Sequence, residues 1–251
     1  MLGSERQREI LNYLRLYGSV SVKKLTGLVY ASEATVRRDL NELEKTGLVK
    51  RIFGGATLAV APDQQVPLYV REKEDGAAKD EICRKASALL RDGSVIFLDG
   101  SSTASAMVRY LPRYRDLIVL TNGLKIVEML RELHIKVYCT GGLLREDSSV
   151  FVGKDALSFL DGFAVDFCFL SCKGMDEDGR LSDTSEEETE LRRKVLSISR
   201  TRVMLLTGQK LGKGYLHTLC SSRDLDRIFT DGTLPEGLVL RGADRGSLEQ
   251  K

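Results

Sequence analysis

The stretch Ala31-Ser32-Glu33-Ala34-Thr35-Val36-Arg37-Arg38-Asp39-Leu40 decides how the first part of this chain folds. The hydroxyl of Ser32 is a favourable N-cap, which predicts that a helix begins at the next residue. Val36, Leu40 and Leu43 recur at helical spacing and predict the stripe that packs inward. The opposite face, suited to phosphate oxygens and base edges, consists of Ala34, Arg37, Arg38 and Asn41. A solvated basic face on an ordinary helix is the alternative interpretation.

The sequence on both sides of this stretch favours a winged helix-turn-helix domain. A helix over Ser4–Tyr17 and a short helix opened by Ser21 precede the basic helix, as in a helix-turn-helix. After it, residues 48–58 predict two short strands around a Gly-Gly turn. Lys50 and Arg51 would then lie on a hairpin wing within reach of phosphate. The candidate DNA contacts are Ser32, Ala34, Thr35, Arg37, Arg38, Asn41, Lys50 and Arg51.

The distribution of charge agrees with a DNA-binding head. Residues 1–57 hold ten Lys and Arg against six Asp and Glu, although the whole chain is only +2. Because neutralisation of phosphate dominates non-specific DNA affinity, a basic first quarter on a slightly acidic remainder fits a head joined to a different domain.

Length and composition set the number of domains. A chain of 251 residues, 42% of them hydrophobic, can bury two cores. The prediction is a winged helix-turn-helix domain at 1–58, a linker at 59–74 and an α/β domain at 75–251. No apolar run approaches the roughly 20 residues of a membrane helix, so we expect a cytoplasmic protein that does not contact membranes.

Cysteine and histidine usage argues against metal and redox chemistry. The five cysteines include no CxxC pair and lie mostly in apolar or helical runs, which predicts reduced, buried thiols. The two histidines are far apart in sequence, so we expect neither a zinc site nor a histidine-based triad. No cofactor is expected.

Helical and strand patterns alternate from residue 79 onward, which predicts an α/β domain with a mostly parallel sheet. The first strand, Val95–Leu98, lacks polar alternation, as expected for a strand covered on both faces. The further predicted strands are Leu117–Leu120, Lys136–Thr140, Asp166–Leu170, Arg202–Leu206 and Asp226–Thr230. The predicted helices lie around Ile82–Leu90, Ala104–Tyr110, Leu124–Leu133 and Glu187–Ser199.

The residues that follow these strands are small and polar. Ligands of such sheets bind beyond the carboxyl ends of the strands. The loop Asp99–Thr103 offers hydroxyls and a helix start to an anion such as phosphate. The other strand ends are Thr121-Asn122-Gly123, Thr140-Gly141-Gly142 and Ser171-Cys172-Lys173-Gly174. Together they suit a phosphorylated polyol, although any one loop could be only a tight turn or a helix cap.

Two nucleotide-binding motifs fail on inspection. The run Gly208–Gly214 lacks the Gly-Lys-Ser/Thr ending of a P-loop, and His217 stands where a dinucleotide fingerprint needs glycine. The acidic run Glu186–Glu188 could be a metal site, but it is better explained as the start of a helix. Acidic side chains there interact favourably with the positive end of the helix dipole.

An ordered set of motifs resembles the DeoR family of bacterial transcriptional regulators. The set consists of Ser32–Leu40, Gly54-Gly55-Ala56, Lys79, Asp99–Thr103, Thr121-Asn122, Gly141-Gly142, Gly153, Glu188, Arg192-Arg193, Lys210 and Thr230-Asp231. The resemblance implies a winged helix-turn-helix head and an effector domain similar to ribose-5-phosphate isomerase. It also implies a protein that represses sugar or nucleoside catabolic genes and leaves its DNA operator when a phosphorylated sugar binds. Because one recognition helix reads too few base pairs and paired half-sites need symmetric heads, we expect a homodimer or higher homo-oligomer. Carried over by position, the effector residues are Asp99, Ser101, Ser102, Thr103, Asn122, Gly142, Lys173, Glu188 and Lys210.

Three positions depart from the family pattern. Phe53 stands where the family often has histidine before the wing glycines, and Ser101-Ser102 replace a common Gly-Thr pair. Thr207 stands where an aspartate usually precedes the pocket lysine, Lys210, by three residues. This last change bears on the ligand's hydroxyl contacts and on the orientation of the lysine.

Two other functions remain open at this point. The isomerase-like domain could catalyse sugar phosphate isomerisation with Asp99 or Glu188 as proton carrier, since fold does not separate sensing from catalysis. Alternatively, the regulator could have lost its ligand, and Thr207 is the feature that favours this reading.

Overall fold

The computed structural model describes residues 3–17, 19–46, 48–58, 68–145 and 148–241. The chain divides into two compact units, residues 1–74 and residues 75–251. Within the described ranges, no helix is both long and apolar enough to cross a bilayer.

The first unit has the predicted winged helix-turn-helix architecture. Its elements are α1 (Gly3–Tyr17), β1 (Ser19–Ser21), α2 (Val22–Leu28), α3 (Glu33–Lys45), β2 (Val49–Ile52), β3 (Gly55–Leu58) and α4 (Leu68–Lys73). The three strands form an antiparallel sheet in the order β1-β3-β2. Sequence reasoning missed β1, because a three-residue strand with one buried side chain, Val20, has no readable alternation.

A serine side chain sets the start of α2. The Oγ of Ser21 accepts the amide of Lys24 at 3.2 Å, which caps α2 as predicted.

The helix α4 lies inside the predicted linker, and residues 59–67 lie outside the described ranges. The role of residues 59–74 as a linker stays a prediction.

The second unit is a mixed α/β domain built on six parallel strands. Its elements are α5 (Gly76–Ser87), β4 (Val95–Leu98), α6 (Ser102–Ser105), β5 (Ile118–Thr121), α7 (Leu124–Glu132), β6 (Lys136–Cys139), β7 (Leu143–Arg145), β8 (Val150–Val152), α8 (Lys154–Leu160), β9 (Val165–Leu170), β10 (Gly174–Met175), β11 (Arg180–Asp183), α9 (Glu186–Ile198), β12 (Ser199–Leu206), β13 (His217–Ser221) and β14 (Arg227–Thr230). The main sheet has the order β14-β12-β9-β4-β5-β6, and every pair in it is parallel. All six predicted strands therefore belong to one sheet.

The smaller elements were not predicted. They are the β7-β8 hairpin, the three-stranded sheet β10-β11-β13 and the helix α8. The helix predicted at Ala104–Tyr110 is the short α6 followed by a 3-10 segment over Ala106–Arg113. The Oγ of Ser105 donates to the carbonyl of Ser102 at 3.0 Å, and such side-chain bonds compete with regular helix.

Apolar residues cover both faces of the main sheet. Phe97 belongs to the cluster on one face, whereas Ile96 and Leu98 belong to the cluster on the other, and all three are fully buried. The absence of polar alternation in β4 follows from this double burial. Burial also raises the pKa of the free thiols of Cys168 and Cys172 to about 11, which keeps them protonated near neutral pH.

Candidate DNA interface and effector crevice

The start of α3 is set by Ser32. Its Oγ accepts the amide of Thr35 at 3.2 Å and lies 2.9 Å from the hydroxyl of the same residue. The predicted stripe of Val36, Leu40 and Leu43 is buried. Asp39 is also buried on this side, where it pairs with Arg6 of α1 through Nη2 and Oδ1 at 3.2 Å. This ion pair fixes α3 on α1, and sequence reasoning did not anticipate it.

The opposite face of α3 is exposed, as predicted, at Ala34, Arg37, Arg38 and Asn41. The side chain of Arg37 is 51% exposed, and its Nη2 lies 3.4 Å from Oε2 of Glu33. A surface pair of this kind contributes little stability, so the guanidinium of Arg37 can exchange Glu33 for another acceptor.

The two basic residues of the wing have different surroundings. Lys50 is exposed, whereas Arg51 is half-buried and donates from Nη1 to Oδ1 of Asn41 at 2.5 Å. The amide of Arg51 also donates to Oε1 of Glu44 at 2.8 Å. Two candidate DNA contacts therefore bind each other, which fastens the wing to the exposed face of α3.

The candidate effector residues gather at the carboxyl edge of the main sheet. Asp99 follows β4, Asn122 follows β5, Gly142 lies beyond β6, Lys173 lies beyond β9, and Lys210 lies beyond β12. Because all these strands are parallel, their carboxyl ends meet at one edge. We call this edge, which is the candidate site for an effector, the effector crevice.

Arg192 of α9 is the centre of a buried ion cluster in this crevice. Its Nε lies 3.2 Å from Oδ1 of Asp99, its Nη1 lies 3.0 Å from Oδ2 of Asp183, and its Nη2 lies 2.9 Å from Oε2 of Glu188. All four side chains are at most 5% exposed. Burial opposes the charge on Arg192, but the three carboxylates outweigh it and raise the pKa of the guanidinium.

Ser171 connects this cluster to Lys210. The amide of Ser171 donates to Oδ2 of Asp99 at 3.1 Å, and its Oγ accepts from Nζ of Lys210 at 2.7 Å. The same Oγ donates to the carbonyl of Leu205 at 2.7 Å. Thr207 is buried, and its carbonyl accepts the amide of Lys210 at 2.9 Å. The serine hydroxyl thus orients the lysine in a chain that has no aspartate at position 207.

Asn122 holds two loops of the crevice together. Its Oδ1 accepts the amide of Gly100 at 3.0 Å, and its Nδ2 donates to the carbonyl of Phe151 at 3.3 Å. The loops meet so closely that a Cβ on Gly123 would lie 2.7 Å from Cα of Gly100. Both positions therefore require glycine, and the amide of Asn122 shapes the crevice.

The loop predicted to hold phosphate is buried and only briefly helical. Ser101 caps α6 by accepting the amide of Ala104 at 3.2 Å, and Ser102 and Thr103 are buried. The Oγ1 of Thr103 is buried without a hydrogen-bond partner among the described residues. An unpaired buried hydroxyl is costly, and this hydroxyl is therefore an available hydrogen-bonding group in the loop.

Gly142 and Lys173 lie at the rim of the crevice. Gly142 has φ +98°, and a Cβ there would lie 2.6 Å from the carbonyl oxygen of Val152, so a side chain is excluded on both counts. Lys173 is half-buried, and its amide donates to the carbonyl of Ser182 at 3.2 Å.

Sequence reasoning found the acidic start of α9 but missed the role of Arg192. The helix begins at Glu186 after the cap Ser185, whose Oγ accepts the amide of Glu188 at 3.3 Å, so the helix-start interpretation is confirmed. The available signal for the cluster was the four-residue spacing of Glu188 and Arg192. Within the described ranges, no three His, Cys, Asp or Glu side chains are grouped so as to hold a metal ion.

Two family models match the chain: the DeoR-like helix-turn-helix domain over residues 6–61 and the DeoR C terminal sensor domain over residues 74–232. The chain belongs to the DeoR family. It is a helix-turn-helix transcriptional regulator with a sensor domain, as the resemblance implied.

Relatives of this DeoR-family chain match over nearly their whole length. The uncharacterized HTH-type transcriptional regulator YulB of Bacillus subtilis is 32% identical over 95% of this chain and 93% of its own. The glycerol-3-phosphate regulon repressor of Escherichia coli K12 is 29% identical over 95% of each chain. The L-fucose operon activator of Haemophilus influenzae is 30% identical over 93% of this chain and 94% of its own.

Among solved structures, ribose 5-phosphate isomerase A of Methanocaldococcus jannaschii is similar over 55% of each chain, at 18% identity and a TM-score of 0.42. A likeness of this size says nothing about function.

Proposed function

We propose that this DeoR-family regulator is a repressor that releases its operator when a phosphorylated sugar binds in the effector crevice. One observation carries the proposal: residues from separate strand ends belong to one hydrogen-bond network. Asp99 and Glu188 meet through Arg192, and Lys210 joins them through Ser171. Sites of this kind, with convergent polar groups at a sheet edge, are typical of small-ligand binding.

The charges of the crevice favour a ligand with one anionic end and several hydroxyls. The Arg192 cluster holds three carboxylates against one guanidinium, so its net negative charge disfavours phosphate beside it and favours the hydroxyl end of a ligand there. Lys210 and Lys173, with the hydroxyls of Ser101–Thr103, supply the cations and donors that phosphate needs. A phosphorylated sugar satisfies both ends.

The proposed DNA contacts are the exposed residues of α3 and the wing. One recognition helix reads few base pairs, so we propose a homodimer or higher homo-oligomer in the cytoplasm that places two heads on paired half-sites. Operator and effector would favour different arrangements of this assembly. Each then weakens the binding of the other by the same factor.

The first experiment is fluorescence anisotropy of the full-length protein on duplex DNA from directly upstream of its own gene, at fixed salt. A panel of sugar phosphates and the matching unphosphorylated sugars is then titrated in. We expect sequence-dependent binding that one phosphorylated sugar releases and its unphosphorylated form does not. Specific binding that no sugar phosphate disturbs would support a regulator that has lost its ligand.

The variant Lys210→Ala separates the two sites. We expect it to bind the same DNA as tightly as the wild type and to lose the response to the sugar phosphate, because Nζ of Lys210 is a proposed phosphate contact. Turnover of ribose 5-phosphate by the wild type that disappears in Glu188→Gln would instead support the enzyme hypothesis. Deletion of the gene is expected to raise transcription of the neighbouring genes, whereas a fall would indicate an activator.

A further inference from the structure

Phe53 lies at the tip of the wing, between β2 and β3, and its side chain is fully exposed. The turn that carries it is well fixed: Gly54 has φ +74°, and its carbonyl accepts the amide of Val22 at 2.9 Å. A phenyl ring exposed to water contributes nothing to the core, and its transfer from apolar surroundings into water is unfavourable. Folding of the unit therefore does not explain why a large aromatic side chain stands here.

The surroundings of Phe53 have the chemistry of a DNA contact. The exposed Lys50 lies on the same hairpin, and Arg51 ties the hairpin to Asn41 on the exposed face of α3. The tip thus continues the exposed surface of α3 and the wing that is proposed above to bind DNA. The ten Lys and Arg among residues 1–57 give this unit the charge that complements a duplex.

We propose that Phe53 enters the minor groove of the operator next to the site of α3 and packs as an apolar wedge against a base step. Phe, Leu and Ile are the side chains that partly unstack such steps and kink the duplex. A phenyl ring makes no hydrogen bond to a base, so it selects by deformability and favours the flexible steps TA and CA/TG. The proposal rests on DNA binding by the first unit and is independent of the effector.

Salt dependence separates a wedge from a phosphate contact. The probe is the duplex that the wild-type full-length protein selects from a random-sequence library, and its affinity is measured by anisotropy across a salt series. Phe53→Ala is expected to weaken binding about tenfold at every salt concentration, because an uncharged contact releases no counterion. Lys50→Ala is the matched control from the same hairpin, and its salt slope is expected to fall by about 0.9 if it binds a phosphate.

Unstacking is read directly on the DNA. Permanganate oxidation of thymine at one pyrimidine–purine step should rise when wild-type protein binds, persist in Phe53→Leu and disappear in Phe53→Ala. Since Phe53 is fully exposed, neither variant should change the thermal unfolding midpoint. The proposal would be overturned if Phe53→Ala bound DNA as tightly as the wild type or had a lower salt slope. It would also be overturned if the library selection yielded no duplex. A change in the sedimentation of Phe53→Ala without a change in its DNA binding would overturn it as well.

Discussion

The helices α3 and α9 are built alike and place their charges in opposite environments. Each has 13 residues, a serine N-cap and a Glu–Arg pair four residues apart. In α3 the pair Glu33–Arg37 is 3.4 Å apart and about half exposed, whereas in α9 the pair Glu188–Arg192 is 2.9 Å apart and almost fully buried. One helix leaves its arginine half exposed to solvent, and the other buries its arginine among three carboxylates.

This difference shows that the same Glu–Arg spacing can contribute very different amounts to stability, depending on burial. A surface ion pair is worth little because water solvates both charges. A buried ion cluster stabilises the fold only when all its partners are present. Removal of one partner leaves the remaining charges uncompensated in the protein interior.

Arg192→Ala is expected to have the largest effect. Three buried carboxylates would lose their guanidinium, which should lower the free energy of unfolding by about 3–5 kcal/mol in urea titrations. The control is Arg193→Ala, which removes the neighbouring exposed arginine of the same helix, whose acceptors are the uncharged carbonyls of Thr218 and Leu219 rather than buried carboxylates. Equal losses in the two variants would contradict the central role of Arg192.

Arg37→Ala is expected to leave stability unchanged within about 0.5 kcal/mol and to weaken operator binding by about 1–3 kcal/mol. The matched control is Arg84→Ala in α5, since Arg84 is 52% exposed and also has a nearby glutamate partner, Glu81. Anisotropy on the selected duplex should show no change for this control. An Arg37→Ala protein with wild-type affinity would remove α3 as the reading helix.

Replacement of the two N-caps should have intermediate effects. Ser32→Ala and Ser185→Ala should each cost about 1 kcal/mol of unfolding free energy, because each leaves a first-turn amide without its acceptor. The loss should be larger for Ser185, whose Oγ also accepts from Nη1 of Arg145 at 3.2 Å. Thermal unfolding measures both, and Ser185→Asp should recover most of the loss.

The smallest effect is expected for Glu33→Ala. The exposed pair with Arg37 should contribute only about 0.3–0.5 kcal/mol, and 1 M salt should remove the difference. A double-mutant cycle on Glu33 and Arg37 gives this coupling, and the same cycle on Glu188 and Arg192 should give a several-fold larger value. Similar coupling energies in the two cycles would contradict the conclusion that burial makes the pair in α9 stronger than the pair in α3.

The sequence predicted what local chemistry determines. Ser21 and Ser32 were identified as caps from hydroxyls that precede apolar periodicity, and β4 was identified as a doubly covered strand from its unbroken apolar run. The small strands were not predicted, because segments of only two to five residues show no clear hydrophobic period. Their existence depends on pairing partners elsewhere in the chain, as in the antiparallel pair of β7 and β8.

The same limit applies to the crevice. Strand-end residues could be expected to converge because parallel strands end at one edge, and the structure brings Asp99, Asn122 and Lys210 to that edge. The central role of Arg192 in the ion cluster was not predicted, because Arg192 lies 93 positions from Asp99 and 9 from Asp183 in sequence. Whether an arginine faces water or carboxylates is settled only by packing of the whole domain.

Arg51 represents a third environment for an arginine, between those of Arg37 and Arg192. Its guanidinium is held by a hydrogen bond to Asn41 within the folded unit. Immobilising a long side chain on binding typically costs about 0.5–1.5 kcal/mol of conformational entropy. In the proposed complex, Arg51 would reach the operator with that loss already incurred during folding, which would favour rigid-body docking over adjustment after encounter.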